Sequence, residues 1–169
     1  MNLLDIASTK KRSIVDKWYG QIIATYPEPT ARFLEGEQDA FANPVGHTIY
    51  RALEGLVEGF FQGDARSEAI SAHLDSIIRI RAVQELSPSE ALAFIFQGKQ
   101  IFKEELAQEI SAQKIAPERL EAWIDGLALD AFDLYLQCRQ QVYELRIKEV
   151  KNRVSRLLAR AKLSLDIPS

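Results

Sequence analysis

Apolar positions recur along this chain at intervals of three and four residues, the spacing that lays a stripe down one side of an α-helix. No sustained period-two alternation competes with it, so strand signals are nearly absent. Leu4, Ile14, Val15, Trp18 and Ile22 share one face and predict a first helix over Asn2 to Thr25. The Tyr-Pro-Glu-Pro stretch at 26–29 ends it, because a proline ring cannot continue the hydrogen-bond ladder. Thr30 to Gly36 reads as a short turn. Asn43 then offers an N-cap and Pro44 a first-turn proline, and Ile49, Leu53, Leu56, Val57 and Phe60 carry the apolar face that follows. Gly63 suits the stop. The next helix, over about Arg66 to Val83, turns Ile70, Leu74, Ile77 and Ile78 inward.

The pattern breaks at Glu85-Leu-Ser-Pro-Ser-Glu-Ala91. Ser87 can cap, Pro88 fits a first helical position, and Glu90 stands three residues after Ser87, which makes a capping box. The stretch is therefore a corner between two helices, and the second of them runs to about Gln113. Arg79 and Arg81 fall in the last turns before the corner, where positive charge complements the helix dipole. Asp75 and Glu85 stand four residues from one or the other, so ion pairing within the corner accounts for both arginines. Anion binding by the same pair is the sharper alternative.

The last helix starts near Pro117 and extends to about Leu163. Its heptad runs through Ile124, Leu127, Ala131, Leu134, Cys138, Val142 and Leu145, then slips to Val150, Val154, Leu157 and Ala161. A helix of that length outgrows one small domain and invites the same helix of a second copy. The seven heptad residues from Ile124 to Leu145 are the expected dimer interface. Residues 1–163 read as one all-α domain with 146–163 projecting from it, followed by a short tail at 164–169.

Composition changes this picture little. Of 169 residues, 47% are apolar and 27% charged, ordinary values for a soluble globular chain, and the net charge of -3 gives no argument for nucleic acid. One cysteine excludes an intrachain disulfide and fits a reducing cytoplasm. The N-terminus lacks the apolar core of a signal peptide. No apolar run is long enough to span a bilayer, so the expectation is a soluble, cytoplasmic protein.

Candidate chemistry is sparse. Nucleotide-binding glycine motifs, HExxH and CxxC are all missing. Two histidines and one cysteine cannot build a nitrogen–sulfur zinc site, and Cys138 reads as a core thiol. No carboxylate pair stands out for acid–base work, so no enzyme activity and no metal or other cofactor is expected. His47 and His73 lie on consecutive helices and leave haem or small-ligand binding as an alternative. Phe60, Phe61, Phe94, Phe96 and Phe102 are available to fill such a pocket, which favours histidines at the surface or in hydrogen bonds. Between Arg146 and Lys162 seven basic residues accompany one acid, Glu149, and Ile147, Val150, Val154, Leu157, Leu158 and Ala161 share a face. That segment could lie on an anionic membrane or an acidic partner; packing in the dimer is the preferred reading.

Three blocks carry a family resemblance: Lys11 to Pro27 (KRSIVDKWYGQIIATYP), Phe41 to Ile49 (FANPVGHTI) and Ile77 to Phe96 (IIRIRAVQELSPSEALAFIF). The residues that carry most of it are Asn43, Pro44, Arg79, Arg81, Gln84, Pro88 and Ser89. Over about Ile14 to Leu145 the sequence resembles the N-terminal domain of the RsbT co-antagonist (RsbR/RsbRD) proteins of the bacterial stressosome. The resemblance implies a globin-like helical bundle without haem that dimerises and serves as a sensory or interaction module toward a regulatory protein partner. It makes the corner the one between the globin F and G helices. Longer members continue from the last helix into a STAS output domain, whereas stand-alone members occur in anaerobic bacteria with sulfur metabolism. With Ser169 as the last residue, this chain is expected to be of the stand-alone kind.

Overall fold

A computed structural model describes residues 3–37, 39–64, 67–84 and 86–161. Among the described residues the chain is all-α, with α1 at Leu3–Ile23, α2 at Glu28–Gly36, α3 at Pro44–Gln62, α4 at Glu68–Ala82, α5 at Pro88–Glu105, α6 at Ala107–Ser111 and α7 at Pro117–Arg160. The all-helical bundle with a long last helix is the expected class. The Leu4 side chain, Arg66, Glu85 and the positions from 162 onward lie outside the described residues, and with them the expected Arg81–Glu85 pair.

Local chemistry sets most of the boundaries. Asn43 Oδ1 accepts from the Gly46 N–H at 2.8 Å, Ser67 Oγ accepts from the Ile70 N–H at 3.2 Å, and Gly63 stops α3 with φ at 80°. Two boundaries differ from expectation. The stretch read as a turn is helix α2, because Pro29 sits in its first turn, where a missing N–H costs nothing. The helix expected to reach Gln113 breaks at Leu106, which is fully buried and leaves the helical region at φ -103° and ψ 14°.

Five helices close a ring: α1 packs on α3 and α5, α3 on α4, and α7 on both α4 and α5. Aromatic side chains fill the ring. Trp18 meets Phe94 and Phe102, and Phe60 meets Phe102, Trp123 and Phe61, at centroid distances of 4.9–6.4 Å. Each such buried ring contributes roughly 2–3 kcal/mol of transfer free energy. The Trp18 indole N–H donates to the Phe94 carbonyl at 2.8 Å, so its one polar atom is satisfied. Phe96, expected among the pocket-filling rings, is instead 55% exposed. It stands two residues from Phe94, about 200° around the helix, and the two cannot face the same way.

Candidate interaction surface

The α4–α5 corner is the first place where the expected residues meet. Its capping box is complete: the Ser87 N–H donates to Glu90 Oε2 at 2.8 Å and the Glu90 N–H donates to Ser87 Oγ at 3.3 Å. The Ser87 hydroxyl also donates to Glu90 Oε2 at 2.7 Å, and this bond, then the one from the Ser87 N–H, holds the Glu90 carboxyl below the usual carboxylate range. Arg79 pairs with Asp75 at 2.6 Å on the surface. Arg81 behaves differently. Its guanidinium is buried and donates to the Ala91 carbonyl at 3.3 Å, the Glu90 carbonyl at 2.9 Å and Thr25 Oγ1 at 2.7 Å. It thus ties the ends of α1 and α4 to the first turn of α5. Burial pulls its pKa down from the usual arginine value. Gln84 is half-buried and its N–H bonds back to the Arg81 carbonyl. Asn43, besides capping α3, donates from Nδ2 to the Leu34 and Glu37 carbonyls, which fastens α2 to the start of α3. Pro44 occupies the first turn of α3.

The two histidines are not brought together at a pocket. His47 is exposed at the start of α3. His73 is half-buried, with its ring laid against Gly55 so closely that a Cβ there would stand 2.2 Å from Nε2. Among the described residues no group of three or more histidine, cysteine, aspartate or glutamate side chains is placed to hold a metal ion. Cys138 is buried, and burial pushes its thiol pKa up.

The expected dimer seam requires a correction. Ile124, Leu127 and Ala131 are fully buried and Cys138 is 7% exposed, all within the chain's own core. Leu134 packs partly against the same core. These positions form the inner face of α7, spent on α4 and α5, and a second copy cannot reach them. Of the seven, Val142 is half-buried and Leu145 is exposed on the same side, past the end of the body.

A second apolar stripe lies on the opposite side of α7. Leu129, Phe132, Leu136, Tyr143, Ile147, Val150, Val154 and Leu157 are each 38–64% exposed. At about 100° per residue, the nine residues from Cys138 to Ile147 amount to about half a turn, so the inner and outer stripes are back to back. The slip of register seen in the sequence is this change of face. Leu92, Ala93 and Phe96 of α5 widen the outer stripe into a shallow, mostly apolar groove that ends at Phe132 and reaches Pro88 and Ser89 at the corner. Beyond Cys138 no described residue of α7 is buried, so its last third stands clear of the body. That part carries Arg146, Lys148, Lys151, Arg153, Arg156 and Arg160 against Glu149. Sequence reasoning found the outer stripe only from Ile147 onward; its first half was hidden by the stronger inner repeat. No helix among the described residues is long and apolar enough to cross a membrane.

An uncharacterized protein of Archaeoglobus fulgidus is 26% identical over 143 residues, covering 82% of this chain and 83% of that protein. No solved structure matches the chain. A family model described as the RsbT co-antagonist protein rsbRD N-terminal domain matches residues 12–150, a span that holds every corner residue named above and most of α7. The chain belongs to the RsbT co-antagonist protein rsbRD N-terminal domain family.

Proposed function

We propose that this chain is a non-enzymatic regulatory module of the cytoplasm, built on a globin-like bundle without haem. It works as a homodimer and passes a stress-type signal to a regulatory protein partner. The carrying observation is the outer stripe of α7, eight large apolar side chains left in water on the face turned away from the core. Monomeric proteins rarely keep so long an apolar patch uncovered. Family membership supports a stressosome-type signalling role.

Light scattering at micromolar concentration tests the dimer. The wild type should run as a dimer, and Leu136→Glu combined with Ile147→Glu should run as a monomer that keeps its helical circular dichroism, because neither side chain belongs to the core. A wild type that stays monomeric would refute the homodimer.

A further inference from the structure

A second cleft, of about 640 Å³, opens between α1, α2 and α3, and none of the residues that line it is on α7. Its size is that of a small-molecule site. Tyr19 and Tyr50 make its aromatic wall, edge to face with ring centroids 5.5 Å apart and both half-buried. Their hydroxyls are tied down: Tyr19 donates to the Leu34 carbonyl at 2.7 Å and Tyr50 to Asp16 Oδ1 at 2.7 Å. Gly46 admits Tyr19 to that position, since a Cβ there would stand 2.6 Å from the hydroxyl oxygen. The rings are thus held in place before a ligand arrives, which lowers the cost of binding. Gly20 borders the cleft with open space where a side chain would stand.

Charge decides which class of ligand fits. Asp16, Glu35 and Glu37 line the cleft against Arg12 and His47. The Arg12 side chain is 91% exposed, and its Nε stands 3.8 Å from Asp16 Oδ2, too far for a hydrogen bond. So loose a surface pair is worth little and yields to a competing cation. Burial, then the hydrogen bond and the charge of Asp16, push the Tyr50 hydroxyl up to about 12, so it stays an uncharged donor at neutral pH. An anion would be repelled by the carboxylates, whereas a cation is attracted both to them and to the electron-rich ring faces. We infer that this cleft binds a small organic cation, its alkylammonium head seated against the Tyr19 and Tyr50 rings and paired with Asp16. Such a site supplies a chemical input to the bundle, independently of how copies of the chain associate.

Isothermal titration calorimetry on the full chain tests it with two cations, choline and pentylammonium, each beside its uncharged counterpart, neohexyl alcohol and pentyl alcohol. At least one cation should saturate a single site, and its uncharged counterpart should not. Asp16→Asn keeps an acceptor for Tyr50 but removes the charge, and should weaken binding about tenfold or more, the equivalent of one hydrogen bond to a charged group. Gly20→Leu adds a good helix former that fills the cleft without a clash, and should abolish binding while helical circular dichroism is kept. Absence of saturation by both cations at about 10 mM, above the millimolar range in which so small a ligand binds, would overturn the site. Equal binding of the uncharged counterpart, or unchanged affinity in Asp16→Asn, would overturn its preference for a cation. A folded Gly20→Leu that binds like the wild type would overturn the location. Light scattering on the same variants should show an unchanged oligomeric state, so loss of the cation leaves the homodimer untouched.

Discussion

Ser87, Glu90 and Arg81 show what single side chains contribute at the corner. The capping box was readable because its partners stand three residues apart in sequence. Ser87→Ala removes the oxygen that accepts from the Glu90 N–H and should lower stability by about 1 kcal/mol, measured by chemical denaturation. Glu90 adds a pH dependence of known sign. Its folded pKa lies below the usual value of 4.5, so its contribution is present above that value and is lost as pH falls through the folded pKa. The stability difference between wild type and Glu90→Gln should therefore shrink from neutral pH to about pH 3. Arg81 was placed correctly at a helix end but not in its role. Two of its partners are backbone carbonyls and the third, Thr25, is 56 residues away, none of which a local pattern can reveal. Arg81→Lys keeps the charge but cannot bridge three acceptors in one plane. It should cost at least about 2 kcal/mol, since buried acceptors lose their donors. An unchanged denaturation midpoint for Arg81→Lys would refute this role.

At the scale of the helices, close approach is set by what a position lacks. Gly98 lets α5 come down on Trp18 of α1; a Cβ there would stand 2.5 Å from the indole ring. Gly20, on α1, has nothing within 4 Å of the same construction. Gly98→Ala should thus destabilise by roughly 1–3 kcal/mol through overpacking. Gly20→Ala should stabilise by roughly 0.5–1 kcal/mol, because alanine loses less entropy in a helix. Melting curves of the two variants moving in the same direction would contradict this packing. Helix α2 shows the opposite kind of oversight: its prolines were read as breakers although one of them starts a helix. The break at Leu106 had no sequence signal, since a leucine in an apolar run looks the same whether the helix continues or turns.

For the whole molecule the question is what fills the ring of five helices. Phe60, Phe94 and Phe102 pack there with Trp18 and Trp123, edge to face or tilted. A haem would have to displace these contacts, and close-packed interiors hold no spare slot of that size. Haem titrated into the purified protein should give no sharp Soret band and no rise in melting temperature. A stoichiometric complex that His73→Ala abolishes would promote the ligand-binding reading over the present one. By itself the sequence determined the helical class, the capped helix starts, the corner and the family, because capping and amphipathic periodicity act within a few residues. It also showed that α7 is too long for one domain. Only the tertiary structure decided which side of α7 is the inside. The helix carries two apolar stripes half a turn apart, and periodicity assigns each of them equally well to a core or to a partner. Packing against α4 and α5 buries Ile124, Leu127 and Ala131, and what remains in water is the face from Leu129 to Leu157.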